Sequence, residues 1–168
     1  NYARGEDTYD PILSKAVVFP ETNQEVSQIL RLCNEHKIPV VPFGTGTSLE
    51  GNVVGNEKGI TISLEKMNKI LSVNAEDFDC RVQACVTKEQ LNEYLREDGV
   101  FFPIDPGANA AIGGMASTSA SGTMAVKYGT MKTVITGLTV VLPNGDIINT
   151  GGRTKKTSAG YNLTNLFI

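Results

Sequence analysis

A glycine-rich stretch directly after a short apolar run constrains this chain more than any other feature. Residues 42–52 have the sequence PFGTGTSLEGN and follow the strand-like run of residues 38–41. Glycines let a chain turn tightly and let a ligand approach its backbone. Successive free N–H groups in such a turn form a concave anion site, to which Thr and Ser hydroxyls add donors. The one charged residue in the stretch is the acidic Glu50. We therefore expect backbone and hydroxyl dipoles, not cations, to hold a pyrophosphate here.

Two common phosphate-binding motifs do not fit this first glycine loop, residues 42–52. A P-loop requires Gly-Lys-Ser or Gly-Lys-Thr, and neither occurs in the sequence. The G-x-G-x-x-G fingerprint must open a helix, but Gly51 follows Gly46 two positions too late, and the next segment carries further glycines. A merely flexible loop stays an open alternative, since glycine-rich turns are common.

Composition excludes several classes of protein. With 168 residues, 40% hydrophobic and 20% charged, the chain can form one domain or two small lobes. A net charge of −3 without a Lys/Arg run argues against a nucleic-acid partner. No apolar run has the ~20 residues that a transmembrane helix needs. The 3 cysteines form no C-x-x-C motif and indicate reduced thiols, an intracellular setting and a role in core packing. With His36 as the one histidine, we predict no metal site and no Ser-His-Asp triad.

The first part of the chain predicts a small α/β lobe, residues 1–100, of four or five strands. Residues 16–19 and 38–41 are predicted strands, and a capping box of Thr22 and Glu25 opens the helix between them. This strand-helix-strand order places the first glycine loop at the carboxyl end of a strand, where ligand loops of α/β sheets usually lie. Further strands are predicted at residues 59–64, 70–73 and 81–86, the last of which would point Cys80 and Cys85 to opposite faces.

A second helix is predicted after Thr87, which forms a capping box with Gln90. Its apolar face would consist of Leu91, Tyr94 and Leu95, and its end is marked by Gly99.

From residue 101 the composition changes, and we predict a second lobe there, residues 101–168. Residues 103–122, the small-residue segment, are almost uncharged. They could form a small-residue helix packed on a sheet or a linker, but large apolar residues such as Ile112 and Met115 argue against a solvated linker. A helix opened by Gly113 and Gly114 would offer unobstructed N–H donors to a second anion contact. Two such hydroxyl-rich segments predict a long ligand between two lobes, such as a dinucleotide.

The remaining residues predict a turn, a hairpin and an apolar end. Residues 127–130 form the turn, and Asn144-Gly145 joins strands predicted at residues 134–142 and 146–150. The chain then ends on an apolar stretch without a stop signal, so we expect the second lobe to be incomplete.

Several of these motifs together resemble the FAD-binding (PCMH-type) domain of the vanillyl-alcohol oxidase flavoprotein superfamily. The closest resemblance is to the branch that contains the FAD-dependent (cytochrome-type) D-lactate dehydrogenases and the flavin-binding subunit of glycolate oxidase. Residues 42–51 resemble the first FAD loop of that branch, and DPG at 105–107 with IGGMA at 112–116 resembles the second. SG at 121–122 and KYGT at 127–130 continue it, and GYNL at 160–163 resembles the tract before the Gly-Ser-Glu-Gly motif of the family. The similarity extends over nearly the whole chain.

The resemblance implies an α+β fold of two α/β subdomains with FAD between them. It also implies the cofactor-binding residues. Those in the first loop are Pro42, Gly44, Thr45, Gly46, Thr47, Ser48, Gly51 and Asn52. Those in and after the small-residue segment are Pro106, Gly107, Ile112, Gly113, Gly114, Ala116, Ser117, Ser119, Gly122, Tyr128 and Gly129. The family often has Asn or Thr in place of Ser117 and Ser119. Because His36 lies on a predicted helix away from both loops, we expect the FAD to be non-covalent.

The chemistry implied by the resemblance is oxidation of a D-2-hydroxy acid, such as D-lactate, to the 2-oxo acid, with hydride transfer to the flavin. In such enzymes the base, the carboxylate-binding Arg and the metal ligands belong to a C-terminal substrate domain, so we predict no catalytic residue in this chain. The electron acceptor is not indicated by the sequence. The family implies a mitochondrial location.

Two other functions are compatible with the same motifs. The first is the FAD domain of an alkylglycerone-phosphate synthase-like enzyme, although its first loop usually has Gly-Gly where this chain has Thr45-Gly46. The second is a non-catalytic FAD-binding module, because a fold does not by itself secure a function.

Overall fold

The computed structural model describes residues 2–168. Two compact units are present: the first comprises the chain up to Asn68 together with Val141–Ile147, and the second comprises Lys69–Val140 and Ile148–Ile168. Helices accompany one three-stranded and two two-stranded sheets, which confirms the predicted α+β class. The predicted boundary at residues 100 and 101 concerns FAD subdomains and stays a prediction.

A parallel sheet organises the first unit. Strands β1 (Ala16–Val18), β2 (Val40–Phe43) and β3 (Ile60–Ser63) lie in the order β1-β3-β2, and both outer strands run parallel to β3. Helix α1 (Asn23–Glu35) connects β1 to β2. The predicted strand-helix-strand unit is therefore confirmed, with β3 inserted between its two strands. The first glycine loop leaves the carboxyl end of β2.

The ends of α1 follow local capping rules. The Thr22 hydroxyl accepts from the N–H of Glu25 at 3.2 Å, whereas the Glu25 carboxylate accepts from the N–H of Glu21 at 2.7 Å. The carboxylate thus bonds one residue earlier than a regular capping box requires. Cys33 is buried on the inner face of the helix, and His36 terminates it at the surface.

Strands β4 (Ile70–Asn74) and β5 (Asp79–Val82) begin the second unit as an antiparallel pair. Among the described strands they pair only with each other, so the five strands β1 to β5 form two sheets instead of one. The strand predicted at residues 81–86 is wrong beyond Val82, because the N–H of Val86 bonds back to the Gln83 carbonyl in a turn. Cys85 is buried in that turn, and Cys80 is exposed, so core packing is wrong for Cys80.

Helix α2 (Lys88–Leu95) begins where the sequence predicts. The Thr87 hydroxyl accepts from the N–H of Gln90 at 3.2 Å, and Leu91 and Leu95 are buried. The prediction that Tyr94 shares this face is wrong: it is 59% exposed, because it lies at the flank of a two-turn helix whose buried face is already filled by leucines. A 3₁₀ turn, Arg96–Asp98, then ends at Gly99 in the left-handed region.

Three short helices follow α2 in the second unit. These are α3 (Ile112–Ser117), α4 (Ala125–Tyr128) and α5 (Met131–Val134). Helices α2, α3 and α5 contribute buried residues to the core of this unit, whereas no residue of α4 is buried. The buried cluster consists of Val86, Leu91, Leu95, Ile104, Ile112, Met115, Ala116 and Met131. The small-residue segment therefore contributes much of the core, which agrees with the prediction that it is not a linker.

A hairpin of β6 (Gly137–Val141) and β7 (Ile147–Gly151) follows α5. The N–H of Gly145 donates to the Leu142 carbonyl at 2.8 Å, with Gly145 at φ +84°, so the Asn144-Gly145 turn is confirmed. The strand predicted from Val134 starts later, because the residues from Met131 to Val134 form a helix capped by Thr130. A 3₁₀ helix, Thr164–Leu166, lies near the end of the chain.

Candidate functional site

The first glycine loop begins with the last two residues of β2 and continues as an irregular segment toward β3. It contains no helix, which agrees with the exclusion of a G-x-G-x-x-G fingerprint. Gly46 and Gly51 have φ of +73° and +72°, a backbone conformation that residues with a side chain rarely adopt. The loop thus turns twice at positions where glycine is the preferred residue.

The loop presents unused hydrogen-bond donors. Within the described chain, the N–H groups of Thr45, Gly46 and Thr47 donate to no protein acceptor. The hydroxyls of Thr45 and Thr47 lie 3.4 Å apart; Thr45 is exposed, Thr47 is half-buried and Gly46 is buried. The Ser48 hydroxyl accepts from the amide of Asn52 at 3.1 Å, which leaves its proton available to a ligand. This donor set suits an anion with several oxygens.

Aromatic rings fix the two turning glycines of the loop. A Cβ added to Gly46 would lie 2.8 Å from the ring of Phe43, and one added to Gly51 would lie 2.8 Å from the ring of Tyr9. Ordinary carbon contacts are near 3.5–4.0 Å. These glycines are therefore required by the folded loop itself, independently of any ligand.

The small-residue segment uses its glycines differently. In α3 the N–H of Ile112 donates to the Val86 carbonyl and that of Gly113 to the Ala84 carbonyl, both at 2.8 Å. The prediction of unobstructed donors is wrong for Gly113, because the turn before α2 already supplies its acceptor. The N–H of Gly114 donates to no acceptor in residues 2–168.

The space beside the backbone also distinguishes Gly113 from Gly114. A Cβ added to Gly113 would lie 2.8 Å from the Cβ of Ala84, so this glycine allows the helix to approach its neighbour closely. A Cβ added to Gly114 or Gly107 would meet no protein atom within 4 Å in the part of the chain that the structure describes. These two positions leave open space beside their backbone, as a ligand contact requires.

Other predicted residues of the second unit have roles within the protein. Ile112 and Ala116 are buried in the core, so their side chains face the protein. The Ser117 hydroxyl donates to the Gly113 carbonyl at 3.0 Å, and Ser119 has φ +48°. The ring of Tyr128 packs edge-on against that of Phe101, with centroids 5.5 Å apart.

Asp105 organises the stretch that follows α3. Its carboxylate accepts from the Thr123 hydroxyl at 2.6 Å and from the N–H of Met124 at 3.0 Å. These hydrogen bonds, the Thr123 contact foremost, hold the pKa of Asp105 below its ordinary value. A Cβ on Gly122 would overlap the Asp105 carbonyl and carboxylate. Gly129 has φ +83°, and a Cβ there would overlap Thr133. The motifs in the sequence do not indicate this role of Asp105, although a carboxylate in a Pro- and Gly-rich turn is typical of such side-chain to backbone bonds.

The predicted cofactor-binding residues are thus distributed over both units. Those in the first unit are Pro42, Gly44, Thr45, Gly46, Thr47, Ser48, Gly51 and Asn52. Those in the second unit are Pro106, Gly107, Ile112, Gly113, Gly114, Ala116, Ser117, Ser119, Gly122, Tyr128 and Gly129. In residues 2–168, no group of three or more His, Cys, Asp or Glu side chains is arranged to hold a metal ion. The described helices include none that is long and apolar enough to cross a membrane.

Comparison with known families identifies the family of this chain. A family model described as FAD binding domain matches residues 14–151, which is most of the chain. The chain belongs to this family. The predicted family and its cofactor are confirmed.

Curated relatives of this FAD binding domain include D-lactate dehydrogenases and a glycolate oxidase subunit. A probable mitochondrial D-lactate dehydrogenase of Danio rerio is 51% identical over 90% of this chain and 31% of the relative. A mitochondrial cytochrome D-lactate dehydrogenase of Arabidopsis thaliana is 48% identical over 90% of this chain and 27% of the relative. Glycolate oxidase subunit GlcD of Bacillus subtilis is 39% identical over 91% of this chain and 33% of the relative. The chain therefore spans 27–33% of the length of these relatives.

A solved structure has the same fold. Alkyldihydroxyacetonephosphate synthase matches with a TM-score of 0.76 over 90% of this chain and 30% of that chain. The sequences are 23% identical, so this likeness concerns the fold alone.

Proposed function

We propose that this FAD binding domain is the cofactor-binding part of an oxidoreductase that oxidises D-lactate or a similar D-2-hydroxy acid to the 2-oxo acid. The observation that carries the proposal is the set of relatives named D-lactate dehydrogenase, which are 41–51% identical over 90% or more of this chain. Their shared name makes the dehydrogenase reaction the activity most consistent with this domain.

The first glycine loop fits the FAD pyrophosphate. The free N–H groups of Thr45, Gly46 and Thr47, with the Ser48 hydroxyl, are donors suited to phosphate oxygens. Because the single charge in the loop is the acidic Glu50, binding relies on these dipoles. From the second unit, the N–H of Gly114 and the open backbone at Gly107 would provide further contacts. The remaining predicted residues of both segments shape the backbone around them.

The residues of this chain bind and orient, and the cofactor supplies the redox chemistry. When bound, FAD would supply the two-electron redox chemistry by which the substrate loses a hydride from Cα. The hydroxyl proton of the substrate must go to a base, and we propose no catalytic residue in this chain. The base, the carboxylate-binding group and any metal ligands would belong to a further domain. We propose non-covalent FAD, because His36 lies at the end of α1 and not on the first glycine loop.

The decisive experiment uses the full-length protein with D-lactate and an artificial electron-accepting dye. We expect the flavin absorption to bleach anaerobically on addition of D-lactate and the dye to be reduced under turnover. L-lactate serves as the stereochemical control. A protein that purifies with FAD but is reduced by none of a series of D-2-hydroxy acids would contradict the proposed substrate class. A full-length protein that is colourless and takes up no added FAD would contradict the cofactor assignment as well.

The same experiment separates the alternatives. A synthase-like enzyme would carry out a non-redox exchange without net dye reduction, and a non-catalytic module would hold FAD that no substrate reduces. The names of the relatives also favour a mitochondrial location, which we propose and which fractionation of cells expressing the full-length protein would test. The physiological electron acceptor would be found by replacing the dye with cytochrome c and with quinones.

A further inference from the structure

The segment before β1 packs directly on the first glycine loop. We call residues 2–12 the N-terminal strap; it precedes the range matched by the family model, which starts at residue 14. The N–H of Glu6 donates to the Gly46 carbonyl at 2.9 Å. A Cβ added to Gly5 would lie 2.6 Å from the Gly46 carbonyl oxygen and 2.9 Å from that of Ser48. The strap thus lies against the peptide groups of the loop with no space between them.

A buried carboxylate shapes the strap at this contact. Asp7 is only 8% exposed, and its carboxylate accepts from the N–H of Gly5 at 3.1 Å and from the N–H of Tyr9 at 3.0 Å. Asp side chains that bond nearby backbone N–H groups fix tight turns. Asp7 therefore holds Gly5 and Tyr9 in one turn, and both of these residues contact the loop.

Two aromatic rings extend the contact to either side. The Tyr9 ring lies against Gly51, where it leaves no space for a side chain. The Tyr2 ring packs edge-on against Phe43, with centroids 5.2 Å apart, and its hydroxyl donates to Glu65 at 2.6 Å. Phe43 in turn lies under Gly46. The strap thus supports both left-handed glycines of the loop: Gly51 through the Tyr9 ring, and Gly46 through the Glu6 N–H and also through Phe43.

We infer that the N-terminal strap is a positioning element of the cofactor site, with Gly5 and Asp7 as its key residues. The inference rests on the proposed role of the first glycine loop in binding the FAD pyrophosphate. By bonding the carbonyl of Gly46 and packing on that of Ser48, the strap orients the peptide groups of the loop that carries the free N–H donors. A loop held in its binding conformation before the ligand arrives loses less entropy on binding.

The test measures FAD affinity and stability separately in the full-length protein. Apoprotein of the wild type and of Gly5→Ala is titrated with FAD by flavin fluorescence, and thermal unfolding of each apoprotein is recorded. The matched control is Gly59→Ala. Gly59 lies in the same unit and is also crowded, but it faces the Pro39 carbonyl and not the first glycine loop. We expect Gly5→Ala to raise the FAD Kd by about tenfold or more, and by far more than Gly59→Ala at comparable loss of thermal stability.

A milder variant keeps the test valid if Gly5→Ala does not fold. Asp7→Asn retains one acceptor oxygen and Asp7→Ala retains none, so we expect the FAD Kd to increase in the order wild type, Asp7→Asn, Asp7→Ala. If the two Asp7 variants lose stability but show no such graded change in FAD Kd, the strap serves the fold alone and the inference is overturned.

Proteolysis gives a second readout that does not depend on activity. Arg4 is exposed, so trypsin can cleave the strap when it detaches from the loop. Linkage requires that FAD stabilise the strap if the strap stabilises bound FAD. We expect saturating FAD to slow cleavage after Arg4 in the wild type, and equal rates with and without FAD would contradict the inference. If the wild type binds no FAD, the proposed function fails; if it binds FAD and the strap variants bind equally well, the inference alone fails.

Discussion

The first glycine loop and the small-residue segment are both rich in glycine, yet their glycines differ in what surrounds them. In the first loop, Gly46 and Gly51 have positive φ and contact aromatic rings, so the fold itself requires them. In the second, Gly114 and Gly107 have open space beside them, whereas Gly113 is required by close packing. A glycine in a cofactor motif therefore does not by itself indicate a ligand contact. The crowded glycines are explained by the fold, and the glycines of the cofactor motif that it leaves unexplained are Gly107 and Gly114.

The largest effect is expected from Gly46→Val. Valine at φ +73° would cost at least about 1–2 kcal/mol from backbone strain alone, and its side chain would also overlap the Phe43 ring. We expect loss of FAD binding together with destabilisation of the protein, measured by flavin fluorescence and thermal unfolding.

Gly46→Asn serves as the control, because Asn tolerates the left-handed conformation better than other residues with side chains. It should unfold at a higher temperature than Gly46→Val. Normal stability in Gly46→Val would show that neither the backbone conformation nor the Phe43 contact constrains the first glycine loop, and the contrast between the two regions would disappear.

A selective effect is expected from Gly114→Val. Valine is at least as good a helix residue as glycine, and the added side chain meets no protein atom in the described chain. We expect apoprotein stability within about 1 kcal/mol of the wild type and a rise in the FAD Kd of about tenfold or more, because the valine fills the proposed ligand space.

The matched control is Gly152→Val, since Gly152 also lies in open space but belongs to no proposed site. Its FAD affinity should equal that of the wild type. If Gly114→Val also binds FAD as tightly as the wild type, Gly114 does not contact the cofactor.

The smallest effect is expected from Asp105, and it depends on pH. Because the hydrogen bonds from Thr123 and Met124 lower the pKa of Asp105 in the folded protein, its carboxylate stabilises the fold above the ordinary carboxyl pKa of about 3.9. This contribution is lost as the pH falls through the lower folded-state pKa. We expect Asp105→Ala to be less stable than the wild type at about pH 6, and this difference to shrink below about pH 3.9.

Urea unfolding of the two proteins across this pH range provides the measurement. Taking the difference from Asp105→Ala removes the contribution of other carboxylates, such as Asp79, whose pKa is lowered by hydrogen bonds from Arg153 and Asn74. A stability difference that is independent of pH would mean that the charge of Asp105 is not what anchors Thr123 and Met124. The stability loss in Gly46→Val, by contrast, should not depend on pH, because the left-handed backbone of Gly46 involves no titrating group.

The sequence by itself determined the local elements of this protein. The caps at Thr22 and Thr87 and the turn at Asn144-Gly145 lie where the sequence predicts them, because each signal acts over a few neighbouring residues. The family and its cofactor followed from several ordered motifs taken together, and the family model confirms them. The position of the first glycine loop at the end of a strand also followed from the sequence.

Tertiary structure alone decided how these elements combine. β3 inserts between β1 and β2, and β4 and β5 form a separate sheet, because strand partners are chosen by long-range pairing and not by local propensity. The exposure of Tyr94 and the engaged N–H of Gly113 depend on which residues the fold places beside them. The N-terminal strap is not evident from the sequence for the same reason. Its sequence carries no periodic apolar pattern, and its contacts with Gly46 and Gly51 join residues about 40 positions apart, a separation at which no local pattern acts.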